Sequence, residues 1–182
     1  MARQRKAAKT HKDGTQTTAQ DKRLYTLDVF LVGGPLTDAF VAQNPVVSRT
    51  IAMRADQTFA ALHGAIFKAF DRDEQHLDAF QVGGQGPHDP NATCYGVPMA
   101  RQHTAGGAKP AGDVTRTRLG ARGLHVGDAF GYWFDCGDDW WHQINVVDIQ
   151  PEAPAGTYPR VTKRVGASPP PYDDWAEEEE EP

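Results

Sequence analysis

The chain has 182 residues, with 19 Lys or Arg against 24 Asp or Glu and a formal net charge of −5 when its seven His are neutral. That length suits one ordinary domain, and no apolar run approaches the ~20 residues of a bilayer-spanning helix, so no membrane partner is expected. Two Cys, Cys94 and Cys136, stand 42 positions apart without a CxxC pair, which excludes a disulfide framework and an all-Cys zinc site and suits a reducing cytoplasm.

Charge is polarised along the chain. Residues 1–23 hold seven Lys or Arg against two Asp, a net +5, whereas residues 172–182 hold seven acids and no base. Such ends read as a disordered basic arm (1–23) and a disordered acidic tail (172–182) around a folded unit at 24–171. No apolar segment follows the arm before Leu24, so a secretory signal is not expected. The arm is the one part suited to nucleic acid or an acidic partner.

In the folded unit, Tyr25, Leu27, Val29 and Leu31 alternate with Thr26 and Asp28, which predicts a half-buried strand ended by Gly33-Gly34-Pro35. Val46 to Met53 reads as a second strand, with Val47, Ile51 and Met53 on one side and Arg49 interrupting them. Phe59, Leu62, His63, Ile66, Phe67 and Phe70 then recur at helical spacing behind a cap at Asp56 or Thr58. His76 to Val82 fits a strand with His76, Asp78, Phe80 and Val82 on one side, or a short helix. Residues 83–113, rich in Gly, Pro, Asn and Thr, read as mostly loop. Phe130 to Phe134, the turn Asp135-Cys136-Gly137-Asp138-Asp139, and a return strand with Trp140, His142, Ile144 and Val146 in phase make a hairpin.

Three histidines fall at positions where the pattern points coreward: His63 in the helix stripe, His76 just after it, and His142 on the returning strand. A neutral imidazole left dry there costs ~1–3 kcal/mol, so each needs partners. With Asp135 and Asp138 in the hairpin turn, they form a candidate catalytic set, or ligands for a divalent metal such as Zn or Mn. The plainer readings are satisfied core histidines and ordinary Asp-Gly turn chemistry, since no two candidates stand at a signature spacing. Gly64 inside the helix suggests close packing against a strand, or close approach of a ligand. Cys136, among acids, is a poor nucleophile, and the glycines at 83, 84 and 86 lack the Lys and helix of a phosphate loop.

The run Leu62-His63, Ile66, Ala69-Phe70, His76-Leu77 and Phe80, followed by Phe130, Tyr132, Phe134-Asp135, Gly137-Asp138, Trp140, His142 and Ile144, resembles the plasmid pRiA4b ORF-3-like family. Its members are also labelled passenger proteins of mobile elements. The resemblance runs from about Tyr25 to about Pro171, and its most specific piece, Tyr132 to His142, is similar to the family's Tyr-x-Tyr/Phe-Asp-x-Gly-Asp-x-Trp-x-His signature. It implies a single compact α+β domain in which a mixed or antiparallel sheet, with a C-terminal hairpin, packs on the helix bearing His63. The positions it carries over are His63, His76, Asp135, Asp138, Trp140 and His142. Many members have a Cys and a Gly-Gly element after the Tyr-Pro matched by Tyr158-Pro159; this chain has Arg160-Val161 and Ser168 to Tyr172 there. Cys136 stands where Phe or Leu is more usual.

The expected function is that of a small cytoplasmic binding or accessory module of plasmid or mobile-element type, with a His/Asp site and with Trp140 and Tyr132 as binding residues. Two alternatives stand beside it. One is a metal-dependent hydrolase or nuclease using His63, His76, Asp135, Asp138 and His142. The other is an adaptor that offers Pro169 to Pro171 as a polyproline ligand. A serine recombinase is not expected, because Ser48 and Ser168 are the only serines and neither lies in a suitable context.

Overall fold

A computed structural model of the chain describes residues 21–72, 76–86, 88–97 and 111–170. Most of the basic arm and the acidic tail, with Pro171, lie outside the described residues. The alternation at the start of the fold becomes β1 (Leu24–Gly33), with Tyr25, Leu27 and Val29 fully buried. β1 pairs with β2 (Ser48–Arg54) on one side and with the long β6 (Trp140–Gln150) on the other. β3 (Asp78–Val82), β4 (Thr93–Gly96), β5 (Ala129–Phe134) and β7 (Arg160–Val165) complete a seven-stranded sheet in the order β4-β3-β5-β6-β1-β2-β7. Every strand pairing in it is antiparallel. The architecture is therefore α+β and rich in sheet. The β5–β6 hairpin lies in the middle of the sheet rather than at its C-terminal end, because β7 follows it and returns to β2.

Among the described residues two short α-helices and a 3-10 turn (Leu119–Arg122) accompany the sheet. Thr37 caps α1 (Asp38–Gln43), its hydroxyl accepting from the Phe40 amide at 3.2 Å. Thr58 caps α2 (Phe59–Ala69) in the same way through the Ala61 amide at 3.3 Å. Phe59, Leu62, Ile66 and Ala69 turn inward, and Phe59 stacks on Phe80 of β3 with ring centroids 4.6 Å apart. This lays α2 over one face of β3, β5 and β6. Of the segment from His76 to Val82, Asp78–Val82 is strand rather than helix; His76 precedes β3 and is exposed rather than core-facing. The region read as loop contains one further strand, β4, whose Cys94 and Tyr95 are buried.

Arg49, the charge that interrupts the apolar side of β2, is 1% exposed. Its Nε donates to the Ala69 carbonyl at the end of α2 (2.7 Å), Nη1 to Ser48 and Val165 carbonyls (both 2.8 Å), and Nη2 to Ser168 Oγ (3.0 Å). The guanidinium also lies 4.8 Å from the Phe70 ring centroid. Arg164 reaches the same helix end through the Ala69 and Lys68 carbonyls and the Asp71 carboxylate. Two cations thus neutralise the negative end of the helix dipole where its last carbonyls lack partners. At the start of the described chain, Arg23 is held by Asp21 (2.6 Å) and donates to the Gly120 carbonyl (3.1 Å), so residues 21–23 of the predicted arm pack on the domain.

Gly64 is not packed closely against a strand as expected, because a Cβ built there meets nothing within 4 Å. Gly34, by contrast, has φ +145°, and a Cβ would run into the Trp140 indole. Replacing Gly64 by Ala is therefore expected to stabilise the protein by about 0.5–1 kcal/mol. Arg49→Met, which leaves several buried carbonyls without donors, is expected to destabilise it by about 3 kcal/mol. Urea unfolding midpoints of the two variants check both values.

Candidate functional site

Alternation along the strands decides what meets α2. Asp78 pairs with Phe134, Phe80 with Tyr132, and Tyr132 with His142, so these side chains share the face beneath the helix. His63 descends from α2 onto them. Its Nδ1 lies 2.8 Å from Tyr132 Oη and 3.8 Å from Asp78 Oδ2. The Tyr132 ring stands beside both His63 (centroids 5.9 Å) and His142 (5.3 Å), and Phe70 packs edge-on to His142 at 4.9 Å. The site is thus a phenol between two imidazoles, with a carboxyl group at its side.

Burial grades these groups. The His63 side chain is 28% exposed, whereas Asp78 is buried and its Oδ2 has no hydrogen-bond partner. Burial pushes the Asp78 carboxyl above its ordinary range, against the opposing pull of His63. Burial also raises the Tyr132 phenol well above its usual value, with the nearby Asp78 adding to the effect and Arg72 opposing it. His142 is driven down to about 3 by burial and by the Arg72 charge, against a hydrogen bond with the Tyr132 backbone. A neutral His142 and a protonated Tyr132 are therefore the resting forms at neutral pH.

The remaining predicted residues are not drawn into this group. His76 Nδ1 lies 3.4 Å from Asp135 Oδ2, and the imidazole packs edge-on to Phe134 at 5.7 Å, the same ring that His63 approaches at 6.4 Å. Asp135 itself caps the hairpin turn: its Oδ1 accepts from the Gly137 amide at 2.9 Å while its backbone takes φ +58°. Asp138 is half-buried within that turn. Trp140, expected as a binding residue, is fully buried, with the Arg72 guanidinium 4.0 Å from its ring centroid. Among the described residues no group of three or more His, Cys, Asp or Glu is placed to hold a metal ion, so the predicted Zn or Mn site lacks a ligand set there.

Sequence reasoning missed three contributors. Asp78 falls on the expected side of its strand, and an acid in phase with Phe80 and Val82 is itself a signal of a role. Arg72 follows the helix and carried no pattern. Asp139, in the turn beside the chosen Asp138, accepts from both Trp133 Nε1 (2.6 Å) and Trp141 Nε1 (3.0 Å) on the opposite face of the sheet. Burial alone would raise the Asp139 carboxyl, yet these hydrogen bonds and His88 hold it below its usual value.

The hairpin and helix that build this site are matched by the profile of the plasmid pRiA4b ORF-3-like protein, which covers residues 39–175. The chain belongs to the plasmid pRiA4b ORF-3-like family. No curated protein matches it significantly. Its fold is similar to that of the protein of unknown function MM3350 from Methanosarcina mazei Go1, with a TM-score of 0.64 at 22% identity over 87% of this chain and 79% of that one. In this pRiA4b ORF-3-like protein, as described, no helix is long and apolar enough to cross a membrane.

The depressed His142 has a measurable consequence. Between the ordinary imidazole value and about 3, the unfolded chain takes up a proton that the folded chain refuses, so stability falls as the pH drops through that window. The slope from this residue is at most about 1.4 kcal/mol per pH unit. His142→Phe is expected to flatten the acid side of the stability profile between pH 6 and 4 in urea unfolding; wild-type and variant curves that run parallel would remove His142 as the cause.

Proposed function

We propose that this family member is a cytoplasmic accessory binding module of plasmid or mobile-element type, and that His63, Tyr132 and Asp78 form its polar anchoring point. The observation that carries this reading is the Asp78 Oδ2, buried without a hydrogen-bond partner 3.8 Å from an imidazole nitrogen that Tyr132 already engages. One nitrogen faces two oxygens. When Nδ1 is bare it accepts from Tyr132; when it carries a proton it can donate to Asp78 instead. A ligand contact on the exposed part of the ring selects between these arrangements, which links binding to the protonation of the buried acid. Two free cysteines, one of them exposed, accord with a reducing cytoplasm.

The alternatives draw less support. A metal-dependent hydrolase or nuclease would need His142, which is buried beneath α2, to join His76 and Asp135, which form their own pair. An adaptor built on the proline run would have to expose Pro169, which is buried. The basic arm is our proposed contact for nucleic acid or an acidic partner.

Imidazole NMR of His63, titrated with inorganic phosphate, acetate, Zn²⁺ and Mn²⁺, tests the anchoring cluster. We expect a saturable movement of its ring resonances with at least one of these probes, weakened in Asp78→Asn. Asp78 has a raised folded pKa, so its contribution is fully present below the ordinary carboxyl value and is lost as the pH rises through the folded one. Asp78→Asn should accordingly gain stability at pH 7 and gain none at acid pH. His63 ring resonances that stay unmoved by inorganic phosphate, acetate, Zn²⁺ and Mn²⁺, or that move equally in Asp78→Asn, would defeat the reading.

A further inference from the structure

The face of the sheet turned away from α2 carries a second feature that the His63 cluster does not use. Gln81 of β3, Gly131 of β5 and Gln143 of β6 are neighbours in register there, flanked by Trp133 and Trp141. A cavity of about 130 Å³ opens among them, bounded by Gln81, Gly131, Gln143, Trp141 and the loop residues Gly84 and Gln85. The absent side chain of Gly131 leaves its floor open, since a Cβ there would make only ordinary contacts, 3.6 Å from both Gln81 Cβ and Trp141 Cζ3.

The wall is fixed in advance. Trp133 and Trp141 stack with centroids 6.2 Å apart, both indole N–H groups are held by Asp139, and His88 packs edge-on to Trp141 at 4.6 Å. An aromatic surface so braced loses little freedom on binding. Gln81 is buried, and its carboxamide oxygen has no hydrogen-bond partner. A buried amide left in that state is unfavourable, so a ligand able to complete it gains a bond that the empty protein leaves unmade.

These properties define the ligand class. A void of about 150 Å³ is known to admit a single benzene ring, which sets the scale. Among the described residues no Lys, Arg, Asp or Glu lines the cavity, so none of them compensates an ionic group there. Three glutamines line it, amides that are each both donor and acceptor and so suit an edge that alternates N–H and C=O groups, although Gln143 already donates one N–H to Asn145 (2.9 Å), and the Trp141 indole offers a surface for a planar ring. We propose that this cavity binds a neutral single-ring heterocycle of the pyrimidine-base type, taken either from a free nucleoside or from a base displayed by a single strand.

Backbone and indole NMR of the full chain, titrated with uridine, cytidine and a short oligothymidine at low and high salt, tests this. Expected are saturable shifts at Gln81, Gly131 and the Trp141 indole that persist at high salt. Gly131→Val fills the floor and Gln81→Leu removes the amide; each should weaken the interaction by about tenfold or more, the scale of one stacked base, while circular dichroism stays native. Shifts with the nucleosides assign a free ligand, and variant-sensitive shifts with the oligonucleotide alone assign a strand. Either result upholds the cavity. It is overturned if no probe shifts these residues, or if binding is unaffected by both variants. Oligonucleotide binding that vanishes with salt and ignores both variants likewise counts against it, since that is the signature of phosphates on the basic arm.

Discussion

The arrangement of the domain depends on one buried cation. Arg49 joins three pieces of chain that are remote in sequence: the end of α2, the strand β7, and the segment that leaves it toward Ser168. A guanidinium almost without solvent would be unfavourable unless its fork of donors were satisfied, and here nearly all its partners are neutral carbonyl and hydroxyl oxygens. Burial and the neighbouring Arg164 lower its proton affinity, yet its ordinary value is high enough to keep it charged. Fixing the end of α2 in this way also fixes where the helix lies along the sheet. His63, a turn and a half earlier, is thereby set over Tyr132.

From that placement the chemistry of the inner face follows. His63 is the group of the cluster that solvent reaches in appreciable measure, while Tyr132, His142 and Asp78 are buried around it. Desolvation acts in opposite senses on them, favouring a neutral imidazole at His142 and a protonated carboxyl at Asp78. The cluster's pairing differs from the His/His/Asp grouping expected of the turn, because Asp135 is committed to shaping that turn and to His76.

Much of this was readable in the residues, for reasons that can be named. Period-two alternation identified β1 and the β5–β6 pair, since each turns every second side chain into the main core. The stripe from Phe59 to Phe70 identified α2 because its spacing is incompatible with a strand. Arg49 was visible only as an interruption, for nothing local reveals that its partners lie at Ala69, Val165 and Ser168. β4 hid in a stretch rich in Gly and Pro, where edge pairing to β3 rather than composition decides the structure. The histidines exposed the limit of periodicity. His142 faces the core as its phase required, but His76 precedes its strand, and phase says nothing outside a regular element. Asp78 and Asp139 went unassigned because the partners that give them meaning come from other strands or the opposite face.

The pairing of β5 with β6 has a consequence for how this hairpin folds. Tyr132 opposes His142 on one side, and Trp133 opposes Trp141 on the other. A slip of one residue would push the two indoles under α2 and turn the phenol and imidazole outward. In most half-exposed sheets only the buried side resists such an error. Here the outer side also carries an ordered aromatic pair tethered to Asp139, so misregistered pairing is penalised from both faces and the alignment of the hairpin is specified twice.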